Sequence, residues 1–326
     1  MPSKAFDRQL AALEELAQSP SSSGAADTLR KALANRNNYI AGKAAQMAAR
    51  LGCKELVPEL LMALNRFFTN AAKADPQCWA KNGIVQALVE LGHRESGPYL
   101  RGLHHIQMEP VWGGEEDSAG PLRAKCALAL VECRDQGDDE LLSHLLELLA
   151  DRDQTVRAEA ARAIGRVEHF ASELLLRLRA LLGDREPAAM GAYFSALLSL
   201  EREASFDFVA RFLNGNDEVA QEAALALGMT RDLRAFRRLQ DCWEGGRSQA
   251  IAGTLLTAMA LTRQPEAVNF LLRLIETDAR PANAAIEALA AARLGGEVRE
   301  RVEQAVRAVG TERLAAAFQQ HSANKE

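Results

Sequence analysis

Apolar positions recur along this chain at helical spacing, in short Ala/Leu-rich blocks that contain no proline. The blocks are 43–52, 83–92, 124–133, 158–167, 191–200, 221–230, 252–261 and 283–292. One position anchors their register: Met47, Ala87, Ala129, Ala163, Ala196, Ala226, Ala258 and Ala288. The intervals are 40, 42, 34, 33, 30, 32 and 30 residues. A period this short is too small for a globular domain. It suits supersecondary units that bury their apolar faces only by stacking. The unit at 138–167 shows the pattern most fully. Leu141, Leu142, Leu145, Leu146, Leu148 and Leu149 give one broad apolar face, and DRDQ turns the chain. Val156, Ala160, Ala163, Ile164 and Val167 then form a second stripe at helical spacing. Each unit therefore reads as helix–turn–helix, and no strand pattern reaches comparable strength.

Two further columns keep the same register. Twelve residues before each anchor stand Asn35, Asp75, Asp117, Asp151, Asp184, Asn214, Gly246 and Glu276. Asp and Asn suit a turn at a helix start, where their side chains accept from free backbone N–H groups. Six residues before each anchor stand Ala41, Lys81, Arg123, Arg157, Met190, Ala220, Ala252 and Ala282. Lys81, Arg123 and Arg157 are expected to reach turn aspartates of neighbouring units, tying the repeats together.

The stretch LLADRDQTVRAEAARAIG at 148–165 resembles the HEAT repeat, in the short bacterial and lyase-type form. Leucines, an Asp-x-Asp turn, Val-Arg and an Ala-rich helix carry the resemblance. It extends over about 25–295, with units five to eight lacking the Arg. It implies an all-α, right-handed α-α superhelix of about eight repeats, with outer first helices, inner second helices and a concave binding surface. The whole of 1–326 is expected as one solenoid. Residues 1–24 would be a capping helix and the joint SPSSSG. Residues 296–326 would be a C-terminal cap, with 297–309 helical, and the tail HSANKE.

Inner-helix positions that face away from the packed stripe change character along the chain. The first half gives Lys43, Gln46, Arg50, Gln86, Glu90, Lys125, Glu132, Glu159, Arg162 and Arg166. The second half gives Ser195, Ser199, Glu222, Leu225, Met229, Thr254, Thr257, Leu261, Glu287 and Ala291. A charged stretch followed by a small or apolar one suits a helix or peptide with charges at one end and apolar anchors at the other. Leu225, Met229 and Leu261 equally suit packing between repeats.

One turn is much longer than its counterparts. HHIQMEPVWGGEEDSAG (104–120) places about nine residues, Met108 to Glu116, where other units use about four. HHIQ is expected to end a helix, and Asp117 falls in the turn column. Consecutive His104 and His105 diverge by about 100° on a helix, so they do not share one ion. Trp112, Glu115 and Glu116 are candidate partner contacts, since insertions in a solenoid collect on one edge. Trp112 could instead fold back over the seam between the second and third units.

Composition limits function further. Net charge is −5, which opposes phosphate-driven nucleic-acid binding. Arg231, Arg234 and Arg238, with Arg237 and Arg247 nearby, form the main basic cluster, expected on an outer helix. Aromatics are 5% of the chain, so the core must be Leu, Ala and Val. The five cysteines show no C-x-x-C, which points to buried free thiols and no zinc site. No signal-peptide pattern and no run of about 20 apolar residues is visible, giving a cytoplasmic expectation and no membrane association. Hydrolase, P-loop, zincin and dinucleotide motifs are all missing. The expected function is a non-catalytic scaffold that binds a protein or peptide on the inner face and long turns, with no cofactor and no metal. The family resemblance also admits a HEAT-like DNA glycosylase, whose groove the inner glutamates would oppose, and a bilin-lyase-type accessory factor.

Overall fold

The computed structural model describes residues 4–18, 24–200, 203–215, 217–245 and 249–322. Most of the expected joint, turn residue Gly246, Arg247 of the basic cluster and the last four residues lie outside these. The chain is an all-α solenoid with twenty α-helices among the described residues. It divides into two compact units, Met1–Val167 and Glu168–Glu326.

The first unit holds α1 (Lys4–Gln18), α2 (Ala25–Leu33), α3 (Asn38–Arg50), α4 (Val57–Phe67), α5 (Ala71–Ala74) and α6 (Trp79–Glu90). It continues with α7 (Gly97–Leu103), α8 (Gly120–Leu130), α9 (Asp138–Leu148) and α10 (Gln154–Ile164). The inner helices α3, α6, α8 and α10 stack in that order. Outer helices α2, α4, α7 and α9 each pack on the inner helix of their own repeat. Between α7 and α8 lie two strands, β1 (Met108–Val111) and β2 (Gly114–Asp117).

The second unit holds α11 (Phe170–Leu182), α12 (Pro187–Ser199), α13 (Glu203–Ala210), α14 (Glu218–Met229) and α15 (Leu233–Glu244). Then come α16 (Ala252–Leu261), α17 (Pro265–Glu276), α18 (Ala282–Ala291), α19 (Gly296–Val309) and α20 (Glu312–Ser322). Inner helices α12, α14, α16, α18 and α20 stack in sequence. Residues 297–309, expected as a cap, lie in α19, and α20 packs on α18. Helix pairing thus continues past the eighth repeat. Ala317 of α20 is buried, 29 residues beyond Ala288, and so extends the anchor column.

The physical reason for the Ala columns is close approach between stacked inner helices. Seven anchors, from Ala87 to Ala288, are at most 5% exposed. Where two inner helices come closest, even alanine is too large. A Cβ on Gly228 would lie 2.4 Å from the Ala258 carbonyl oxygen. A Cβ on Gly42 would lie 2.5 Å from Trp79, whose ring stacks on Tyr39 with centroids 4.8 Å apart.

Capping side chains and prolines define the helix starts. Asn37, Asp153, Asp217 and Asp232 accept hydrogen bonds from Ile40, Thr155, Ala220 and Arg234 amides at 2.7–3.1 Å. Prolines occupy the first turns of α4, α7, α8, α12 and α17. The turn column acts just before these caps. Asn35, Asp151 and Asp184 each accept from the amide two residues on, at 2.7, 2.8 and 3.0 Å.

Candidate interaction site

The long turn of the third repeat is a β-hairpin, not an irregular loop. Met108 pairs with Asp117, Glu109 with Glu116, Pro110 with Glu115 and Val111 with Gly114. Trp112 and Gly113 make the turn between the strands. Gly113 takes φ 91°, a left-handed value that favours glycine. A Cβ there would meet nothing within 4 Å, so the requirement is conformational and not steric. HHIQ does not end the preceding helix as expected: α7 stops at Leu103, and His104 is its cap.

Trp112 stands at the tip and is 102% exposed. The seam-covering reading of this side chain therefore fails. A short hairpin directs its turn residues away from its base. Ile106, Met108 and Val111 are also exposed, at 67%, 46% and 46%. Glu115 and Glu116 are exposed on the second strand. Trp112 and Val111 at the tip, with Ile106 before the first strand and Met108 at its start, are thus exposed apolar side chains on a hairpin whose second strand carries carboxylates.

The base of the hairpin is held by a polar network around one buried side chain. Gln107, 3% exposed, is its centre. Its side-chain nitrogen donates to the Asp75 carbonyl at 2.9 Å and to Glu109 at 2.6 Å. Its side-chain oxygen accepts from Lys81 Nζ at 2.9 Å and from His105 Nε2 at 3.0 Å. The Gln107 amide nitrogen is committed to two acceptors, so its oxygen is the acceptor and His105 Nε2 carries the hydrogen. Burial is the main reason that His105 titrates below the usual histidine range. The Gln107 backbone completes the set, donating to Asp117 at 2.9 Å and accepting from Ser118 N at 2.9 Å.

Beneath Gln107 lies an ion pair fully removed from water. Lys81 Nζ is 3.0 Å from Asp75, and both side chains are 0% exposed. Asp75 also accepts from the Ala80 and Lys81 amides and from Asn38, at 2.7, 3.0 and 3.0 Å. Lys81 donates further to the Phe67 carbonyl at 3.3 Å. Beside it, Arg123 joins two repeats. It donates to Asp117 of its own turn at 2.6 Å and to Asp151 of the next at 2.8 and 3.2 Å. Arg157 donates to the carbonyls of Asp151 and Arg152 at 2.8 and 2.9 Å. In the second unit Asp184 accepts from Arg179 and from Tyr193, each at 2.7 Å.

Two hairpin carboxylates are held in their charged form. Burial opposes the charge of Asp117, but donation from the Gln107 and Ala119 amides and from Arg123 outweighs it. Its carboxyl lies below the usual range. Burial likewise opposes Glu109, and donation from Ser118, Gln107 and Gln77 brings it below the usual range. Gln107, Glu109 and Ser118 carried no periodic or motif signal that would have singled them out.

Residues 142–228 match the family described as HEAT repeats. Within 142–228 the chain carries HEAT repeats. Among solved structures, a crystal structure of an engineered protein aligns with 16% identity and a TM-score of 0.36. That alignment covers 95% of this chain and 90% of the other. No curated protein matches the chain.

The inner helices hold the other expected contact residues, divided between the two units. Lys43 lies over the Tyr39 ring at 5.7 Å. Arg50 is exposed beside Met47 Sδ at 3.0 Å, Arg162 pairs with Glu159, and Arg166 is exposed. These four belong to the first unit. In the second, Met229 is 64% exposed, while Leu225 and Leu261 are half-buried. Glu222 is half-buried against Gly191, and burial raises its carboxyl. The basic cluster is looser than its spacing implied. Arg231 precedes α15 with φ 57°, and Arg234 is engaged by Asp232 at 2.8 Å.

His104 and His105 diverge, though in a loop. His105 turns inward to Gln107, and His104 faces His144 with centroids 5.4 Å apart. Among the described residues no group of three or more His, Cys, Asp or Glu could hold a metal ion. None of the described helices is long and apolar enough to cross a membrane.

Proposed function

We propose that this HEAT-repeat protein is a non-catalytic scaffold whose principal protein contact is the 108–117 hairpin. One observation carries the reading: a tryptophan fully exposed at the tip of a hairpin whose base is anchored by the hydrogen bonds of the buried Gln107. A large apolar side chain gains nothing from standing in water, and a solvent-facing patch of this kind marks an interaction site. Tryptophan on a preorganised support loses little entropy on docking and dominates binding energy where it occurs. The partner has an apolar pocket for the indole, with Lys or Arg placed to meet Glu115 and Glu116. Lys43, Arg50, Arg162 and Arg166, and separately Leu225, Met229 and Leu261, extend the contact along the inner helices. Lys81, Arg123 and Arg157, with Asp75, Asp117, Asp151 and Asp184, serve as the frame that fixes the hairpin and the turns.

The test compares two baits of equal fold. One is the wild-type chain, and the other replaces residues 108–116 by a four-residue turn. The wild type is expected to retain a stoichiometric protein that the shortened chain does not. Identical retention by both would remove the hairpin from the function.

A further inference from the structure

We propose that the cavity between α18, α19 and α20 binds a small amphiphile with one anionic head, of the class of a medium-chain carboxylate. Its volume is about 290 Å³, at the lower end of small-molecule sites, which begin near roughly 300 Å³. That is room for about ten groups the size of a water molecule, at roughly 30 Å³ each. Buried Ile286, Leu289 and Val302 line its depth, and half-buried Leu294, Val298 and Phe318 line its sides. A local change in sequence opens it. Helices α15 and α17 start with Leu233 and Pro265, capped by Asp232 and Gln264. Helix α19 starts with Gly296, capped by Gly295, and both glycines line the cavity. A Cβ on either would meet nothing within 4 Å, so the missing side chains leave open space. All the lining residues belong to the second unit.

The rim selects an anion. Exposed Arg293 and Arg299 line the cavity, with half-buried His321 beside them. Among the described residues neither guanidinium has an ion-pair or hydrogen-bond partner. No Asp or Glu lines the cavity, and exposed Glu297 and Glu300 of α19 are not among its walls. Two unpaired guanidiniums beside an apolar space match a carboxylate that carries an apolar chain, because the guanidinium fork fits both carboxylate oxygens. The backbone of Arg293 points the same way. It follows α18 with φ 48°, whereas Gly52 and Gly92 take φ 67° and 78° at the same distance past their anchors. Glycine suits that left-handed position better than arginine does. Backbone of this unfavourable kind collects at ligand sites. Arg263, in the same register with φ 57°, donates to the Ala292 carbonyl at 3.1 Å. Arg293 makes no such bond, which leaves its side chain to the cavity.

Isothermal titration of the full chain with decanoate tests the assignment. The wild type is expected to bind one decanoate per chain with a Kd on the order of 10–100 μM. Arg293→Glu/Arg299→Glu is expected to weaken binding by about tenfold or more, with unchanged circular dichroism. Arg237→Glu/Arg238→Glu removes two exposed guanidiniums that do not line the cavity and is expected to leave binding unchanged. Uncharged decanol should bind about tenfold more weakly than decanoate, and acetate, a head without a chain, should not bind. Arg293→Gly separates binding from capping. Glycine suits φ 48°, so melting should hold or rise while affinity for decanoate falls about fivefold. Absence of decanoate binding by the wild type up to about 1 mM overturns the proposal. So does equal binding by the wild type and Arg293→Glu/Arg299→Glu. An equal loss in Arg237→Glu/Arg238→Glu also overturns it, because the effect is then one of net charge. An Arg293→Gly chain that melts lower yet binds decanoate as the wild type does makes Arg293 a structural cap and overturns its assignment to the site.

Discussion

Lys81→Met tests whether the base of the hairpin is built as the hydrogen bonds indicate. Lys81 and Asp75 are wholly buried 3.0 Å apart, and Lys81 also supplies Phe67 O and Gln107 Oε1. Methionine has similar length but removes the charge and all three donations. The carboxylate of Asp75 would stay buried, held only by Ala80 N, Lys81 N and Asn38. Breaking a buried pair by removing one partner costs about 3–5 kcal/mol. Three surviving donors to Asp75 place this case near the lower end, at about 3 kcal/mol. Adding Asp75→Asn removes the stranded charge. The double variant should then be less destabilised than the sum of the singles by about 1–3 kcal/mol. Urea unfolding followed by far-UV circular dichroism and tryptophan emission measures both quantities, with Trp79 reporting from the first unit. Amide exchange across 107–118 should accelerate in Lys81→Met, because Gln107 loses its charged partner. A loss below about 1 kcal/mol, or strict additivity of the two substitutions, would refute the reasoning.

Other outcomes follow from separate parts of the molecule. Gly228→Ala should destabilise by about 1–3 kcal/mol, since its new methyl meets the Ala258 carbonyl; an unchanged melting temperature would contradict that stacking. Asp117 and Glu109 have carboxyls lowered by folding, so they stabilise fully at neutral pH and lose that contribution as pH falls below about 4. Hairpin amide exchange should rise on acidification through that window, and Asp117→Asn should flatten the dependence. Burial pushes the thiols of Cys78 and Cys133 up to about 11 and raises that of Cys126 further. A thiol reagent at pH 8 should therefore label Cys53 and Cys242, which are only part-buried, and reach the other three after denaturation. Trp112→Ala should leave urea stability within about 0.5 kcal/mol of wild type, because the indole contacts water.

Features set by close backbone packing were legible in the sequence. Alanine recurs at Ala87, Ala129 and Ala163 because stacked inner helices leave room for one methyl, so periodicity alone located the inner helices. Aspartate recurs at Asp151 and Asp184 because the turn needs an acceptor two residues back. The last helix, α20, escaped because the Asp/Asn column has already lapsed at Glu276, and twelve residues before Ala317 stands Ala305, inside α19. The hairpin escaped for a different reason. Its strands are four residues each, contain Pro110 and oppose Glu109 to Glu116, so neither alternation nor strand propensity marks them. Gln107 is buried only because the hairpin closes over it, and a polar residue buried by tertiary contact leaves no local trace. The exposure of Trp112 has the same origin: sequence marked the residue as unusual, and only the strand register showed it pointing into water.

The most direct measurement is the affinity of the retained partner for wild type and for Trp112→Ala, with matched circular dichroism and melting. If the indole is the anchor of the contact, the substitution weakens binding by about 2 kcal/mol or more, roughly thirtyfold. Equal affinity for the two proteins would contradict the account.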